Sequence, residues 1–96
     1  MSGRPKVSLQ LARGLKMLAL IDTGASKSLI RRDVAVKVLN GLGRTAVFLK
    51  KTQDMTGITG HGLEVVGRVE LLVQPVGLVM FHVVQTMSHE SLVGFD

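Results

Sequence analysis

Five consecutive apolar residues, Met17 to Ile21, run without a break into Asp22-Thr23-Gly24. An apolar run this short, ending on turn residues, fits a strand buried on both faces. The carboxyl group at its end is the main constraint. An ionised Asp at the end of a dry strand is costly unless it is hydrogen-bonded or paired, so the fold has to supply its partners. Gly24 permits a sharp turn and a close backbone approach, and the Thr23 hydroxyl can anchor that turn. The segment therefore presents a carboxyl group on a rigid loop.

Most of the chain has the same strand-and-turn grammar. Val7, Leu9 and Leu11 alternate with Ser8 and Gln10, as in a half-buried strand, and Gly14 marks a tight turn. Residues 32–40 fit two patterns. Val34, Val36 and Val38 alternate like a strand, while Ile30, Val34 and Val38 with Ala35 and Leu39 form a helical stripe. A short helix is the preferred reading, with Asp33 as its cap and Gly41 at its end. Thr45 to Leu49 reads as a strand. Leu63, Val65, Val69, Leu71 and Val73 share one face and Glu64, Arg68 and Glu70 the other, which is a long strand with one wet side. Ahead of it, Gly57-Ile58-Thr59-Gly60-His61-Gly62 suggests the tip of a mobile hairpin. Pro75 and Gly77 make a turn, Leu78 to Val84 is a strand, Gln85 to Ser91 is loop-like, and Leu92-Val93-Gly94 follows. The 96 residues make one mostly β domain.

Composition narrows the function. With 46% hydrophobic but only 3% aromatic residues, the core must be aliphatic. The absence of cysteine removes disulfides and thiolate metal sites, and fits a reducing compartment. The net charge of +5 could suit nucleic acid, but the basic residues are scattered. Arg31-Arg32 and Lys50-Lys51 are the only tight pairs, and the chain has no Tyr or Trp for base stacking. Nucleic acid is therefore not an expected partner, and a solvated surface explains the charge. No apolar run reaches the roughly 18 residues of a membrane span. Met1 to Lys6 lacks the apolar centre of a signal peptide, so the expected location is intracellular, cytoplasmic or within a virus-like particle. His61, His82 and His89 show no metal-ligand spacing, so neither a metal nor another cofactor is expected. Met55, Met80 and Met87 read as core or loop filler.

Three segments together resemble the retropepsin family, the retroviral and retrotransposon proteases and their cellular relatives. They are Asp22-Thr23-Gly24-Ala25 after an apolar strand, the Gly57 to Gly62 segment running into Val65-Val66-Gly67-Arg68-Val69, and Leu92-Val93-Gly94-Phe95-Asp96, which is similar to the family's apolar-apolar-Gly-x-Asp element. The resemblance spans nearly the whole chain, in order. It implies a single-domain retropepsin-like β-barrel, the acid-protease fold, as one subunit of a symmetric homodimer. It implies an aspartic endopeptidase that cleaves extended polypeptide, in polyprotein processing, with Asp22 as its catalytic residue. Thr23, Gly24, Ala25 and Ser26 would support the active-site loop, with the Thr23 hydroxyls bridging the two subunits and Ser26 behind the carboxylates. Gly57, Ile58, Thr59, Gly60, His61 and Gly62 would form the flap over the substrate. Leu92, Val93 and Gly94 would pack beneath the catalytic loop.

The chain holds one Asp-Thr-Gly; Asp33, Asp54 and Asp96 lack the following Thr-Gly. A second catalytic Asp must then come from a second copy across a two-fold axis. Family members continue past the Gly-x-Asp element with a helix, and viral ones add a terminal strand that knits the dimer. The sequence stops at Asp96, so the expected domain, 1–96, reads as truncated at its C-terminus and its dimer as weak. The alternative is a catalytically silent retropepsin-like module that dimerises or binds peptide.

Overall fold

Alternating burial along the strands sets the architecture. The computed structural model describes residues 5–22, 27–44 and 64–94. In chain order these form β1 (Lys6–Gln10), a 3-10 turn (Ala12–Gly14), β2 (Lys16–Asp22), β3 (Ser28–Arg31), α1 (Arg32–Gly41), β4 (Val65–Val73), β5 (Gly77–Val84) and β6 (Ser91–Gly94). The six strands make one sheet in the order β1-β2-β6-β3-β5-β4. β2 runs parallel to β6 and β3 parallel to β5, and the other neighbours are antiparallel.

The two edge strands meet at one point. Gln10 donates its backbone N–H to the carbonyl of Gln74 at 3.0 Å, and Gln74 returns the bond at 2.8 Å. The sheet therefore curls until its edges touch, as the expected barrel requires. Inside the curl lies the main core. It takes Leu9, Met17 and Ala19 from β1 and β2, Val93 from β6, Ile30 from β3, Phe81 and Val83 from β5, and Val69, Leu71 and Val73 from β4. Helix α1 adds Val34, Ala35, Val38 and Leu39. The core is aliphatic apart from Phe81, as the composition demands. A smaller cluster of Leu20, Leu29, Val65, Val84 and Leu92, with Met87 against it, forms separately.

Several expectations change at the level of single residues. The Met17 to Ile21 run is not buried throughout, because Leu18 is 51% exposed. Its side chain points away from the main core, on a face that is covered only toward the Asp22 end. Val7 is exposed too, as a residue of the edge strand β1. Met80 is no core filler but an exposed residue of β5. Ser91 belongs to β6 and is fully buried, not part of a loop.

The helix over residues 32–40 is confirmed, but not its punctuation. Arg31 occupies the N-cap with an extended backbone and no side-chain cap bond. Asp33 sits within the first turn, two residues past the cap, and accepts a hydrogen bond from Arg31 Nε at 2.6 Å. Gly41 is the last helical residue, and a Cβ there would meet Leu15 Cδ1 at 2.8 Å. Gly41 serves a close approach, then, and the stop comes at Gly43, whose φ is +73°. Gly43 N–H reaches the Asn40 carbonyl at 3.1 Å and Arg44 N–H that of Leu39 at 2.9 Å, a Schellman closure.

Beyond the helix, β4 buries Gly67, Val69, Leu71 and Val73 in alternation, with Val69, Leu71 and Val73 in the main core as read from the sequence. Val65 does not share their face, because a register shift between Val65 and Gly67 puts it with Val84 in the smaller cluster. The strand over Thr45 to Leu49, the Gly57 to Gly62 segment with His61, Met55 and Leu63 lie outside the described residues. Among the described residues no helix is long and apolar enough to cross a membrane.

Candidate active site

Strand order places Asp22. β2 ends at Asp22 and β3 begins at Ser28, yet these strands are not neighbours, because β6 lies between them. Leu20 pairs with Leu92, Ile21 with Val93 and Asp22 with Gly94. The end of β6 is thus held between the two strand ends that flank residues 23–26. Thr23, Gly24, Ala25 and Ser26 themselves, and Phe95 and Asp96, lie outside the described residues, as does the whole Gly57 to Gly62 segment.

Asp22 is 8% exposed, one of three buried polar or charged residues in the described part of the chain. The other two, Ser28 and Ser91, are both structural partners of this corner. Ser28 Oγ accepts the backbone N–H of Gly94 at 3.1 Å. Ser91 Oγ donates to the carbonyl of Leu18 at 2.8 Å. One hydroxyl therefore ties β3 to the end of β6, and the other ties the start of β6 to β2. Both satisfy backbone groups that the ladder leaves over, which matters because an unpaired buried N–H or C=O is expensive. The Asp22 carboxyl thus stands on a strand end fixed by ladder bonds and by two buried hydroxyls.

Neither serine was singled out from the sequence. The available signal is only a serine directly ahead of a short apolar run, Ser28 before Leu29-Ile30 and Ser91 before Leu92-Val93. His82, in contrast, proves more interesting than its isolated position suggested. It lies in β5, opposite Arg68 of β4. Burial, with the nearby charges of Lys27 and Arg68, holds its pKa below the ordinary 6.5. His89 lies apart, beside a shallow cleft of about 270 Å³ between Leu18, Leu20, Arg31 and Glu90 that does not include Asp22. Among the described residues no group of three or more His, Cys, Asp or Glu is placed to hold a metal ion.

Comparison with known proteins agrees with this geometry at the level of fold. No family model matches the sequence, and no curated protein matches it. Solved structures do. The retroviral protease-like domain of Ddi1 from Leishmania major superposes with a TM-score of 0.72 at 20% identity, over 100% of this chain and 75% of that one. A retropepsin-like aspartic protease from Rickettsia conorii superposes with a TM-score of 0.60 at 19% identity, over 94% of this chain and 65% of that one. The chain thus spans just under two thirds of the Rickettsia protein's length. At these identities the likeness establishes the fold, which is the retropepsin-like, single-domain acid-protease fold.

Proposed function

We propose that the chain is one subunit of a homodimeric aspartic endopeptidase of the retropepsin type, with Asp22 from each of two copies activating a water. The supporting observation is a single one. In a retropepsin-like fold, the Asp of the chain's one Asp-Thr-Gly is buried at the end of β2, in register with Gly94 of β6.

Carboxylate physics supplies the mechanism. Two aspartates held close cannot both ionise easily, so the pair shares one proton. The ionised member takes a proton from a water lying between them, and that water attacks the scissile carbonyl carbon. The protonated member polarises the carbonyl oxygen. On collapse of the tetrahedral intermediate the pair delivers a proton to the leaving amine. The step needs neither a metal nor an acyl-enzyme. In this reading Thr23 to Ser26 support the carboxylates, Leu92 and Val93 pack beneath them, and the Gly57 to Gly62 segment covers an extended peptide. The substrate is polypeptide, as in the processing of a viral or mobile-element polyprotein.

Incubation of the purified chain with unfolded polypeptide tests the proposal. Cleavage that a pepstatin-like inhibitor blocks and that Asp22→Asn abolishes supports it. A chain that dimerises and binds extended peptide but cleaves none is a dimerisation or peptide-binding module instead.

A further inference from the structure

β5 ends at Val84 and β6 begins at Ser91, and residues 85–90 form the loop between them. Alternate residues of a strand share a face, so Leu20 stands on the Asp22 side of β2, roughly 7 Å back along the strand. Leu20, Leu29, Leu92, Val65 and Val84 close that face as a buried cluster, and half-buried Met87 of the loop packs against them. Among the described residues it is thus the loop, not the leucines, that offers an outer surface beside Asp22.

Packing holds this loop on one side only. Toward Leu18, away from Asp22, an open cleft of about 270 Å³ lies between Leu18, Arg31 and the Ser88–Glu90 end of the loop. Gln85, Thr86 and Ser88 are exposed. A segment with so little buried apolar contact has low local stability, so its hydrogen bonds set its position. At the start of the loop, Gln85 N–H donates to the Glu64 carbonyl at 3.2 Å. At its end, Arg31 N–H donates to the Glu90 carbonyl at 3.0 Å.

Two side chains add the remaining ties. Arg31 Nη1 donates to the Met87 carbonyl at 3.4 Å, and Glu90 Oε1 accepts the Leu18 N–H at 3.2 Å. The guanidinium is aimed by its bond from Nε to Asp33 at 2.6 Å, since the planar fork turns as one piece. Arg31 therefore fastens the loop to the junction of β3 and α1, and Glu90 fastens it to β2.

We propose that Arg31 and Glu90 are positioning residues of the peptide-cleaving site, holding the Met87 loop where it supports an extended peptide beside Asp22. The assignment rests on the reading of Asp22 as the catalytic residue, and neither side chain touches the reacting atoms. A peptide meets the loop alike in the ground state and the transition state. Releasing the loop therefore weakens binding and leaves the chemical step alone.

Arg31→Gln and Glu90→Ala test this against the parent. Initial rates on a fluorescently labelled unfolded polypeptide give KM and kcat, and its anisotropy gives affinity when each substitution is placed in the Asp22→Asn chain. In both variants KM should rise, and affinity should fall, about fivefold, with kcat within about twofold of the parent. Hydrogen exchange at the Met87 to Glu90 amides should quicken. A merely structural loss lowers the folded fraction, which appears in kcat and not in KM. Glu90→Ala guards against misfolding of Arg31→Gln, because the Leu18 N–H that it releases is exposed and can bond water. Unchanged KM and affinity in a folded variant overturn the positioning role, whatever happens to kcat. A parent that cleaves nothing sinks the protease reading, and the affinities then decide whether the loop serves a peptide-binding module. Absence of binding as well sinks both.

Discussion

Asp22 on β2 and Gly94 on β6 face each other as register partners in a parallel strand pair. On the far side of Gly94, Ser28 Oγ takes its backbone N–H at 3.1 Å. A strand that arrives late in the chain is thereby wedged between the two strand ends that flank residues 23–26. The position of the carboxyl follows from long-range pairing, not from its local sequence.

Replacing Asp22 by Asn separates chemistry from fold. Asn keeps the shape of the side chain but cannot share or transfer the carboxyl proton. General acid–base catalysis contributes about 10²–10⁴ in rate, so kcat should fall by at least about a hundredfold. The far-UV circular dichroism and the dimer constant should stay close to those of the parent. Undiminished turnover by the purified variant would remove Asp22 from the mechanism.

Ser28→Ala should cost more than its size suggests. The substitution removes a hydroxyl and strands the Gly94 N–H, which costs about 1–3 kcal/mol. Because that N–H belongs to the register partner of Asp22, activity should fall along with stability. Ser91→Ala strands the Leu18 carbonyl instead, farther from Asp22. It should lower the unfolding midpoint in urea while leaving kcat nearly unchanged. Equal losses of kcat in both variants would contradict the role given to Ser28.

Much of this fold is legible in the sequence, and the illegible parts have physical causes. The alternation in β4 reports its own burial because one face of that strand meets the core and the other does not. The helical stripe Val34-Ala35-Val38-Leu39 survives for the same reason. Leu18 misleads because an apolar run cannot say whether both faces of a strand are covered. Gly41 misleads because a glycine can serve a close contact, here with Leu15, as well as a helix stop. The Asp22 motif is readable because its residues are contiguous. The partners Ser28 and Ser91, and the Arg68–His82 pair, are not, since only the strand order β2-β6-β3-β5-β4 brings them to one corner or one face.

Leu18 and Leu20 therefore make a paired test of which residues the sheet buries. Both are leucines on β2, two residues apart and on one face, but Leu18 is 51% and Leu20 7% exposed. Leu20→Ala should destabilise by about 2–5 kcal/mol. Leu18→Ala should stay within about 0.5 kcal/mol, as surface changes do. Urea unfolding of the two variants decides it, and equal losses would refute the one-sided cover of this strand.

His82 gives stability a pH dependence of known sign. Burial first, then Lys27 and Arg68, lower its pKa from 6.5. The unfolded chain therefore binds more protons than the folded one between the folded pKa and 6.5, and stability rises with pH across that window. The contribution is fully present above 6.5 and is lost as pH falls below it. Unfolding free energies measured at pH 7.5, 6.5 and 5.5 should fall more steeply on acidification in the parent than in His82→Gln. An identical slope in both would mean that the histidine is not linked to folding.

Activity per chain should fall on dilution and be greatest on the acid side of neutral. Each chain contributes one Asp-Thr-Gly, so in the proposed enzyme the active fraction follows the monomer–dimer equilibrium. The pH argument rests on the shared proton. Raising pH through the upper apparent pKa of the Asp22 pair removes that proton, and the two charges then repel across the axis. Carbonyl polarisation and dimer stability are lost together. Lowering pH through the lower apparent pKa of the pair protonates the general base, so the profile should be bell-shaped. Two measurements check this: initial rates over a hundredfold dilution through the dimer dissociation constant, and a rate profile from pH 4 to 9. Constant activity per chain below that dissociation constant, or a rate rising steadily into alkaline pH, would rule out the two-Asp dimer mechanism.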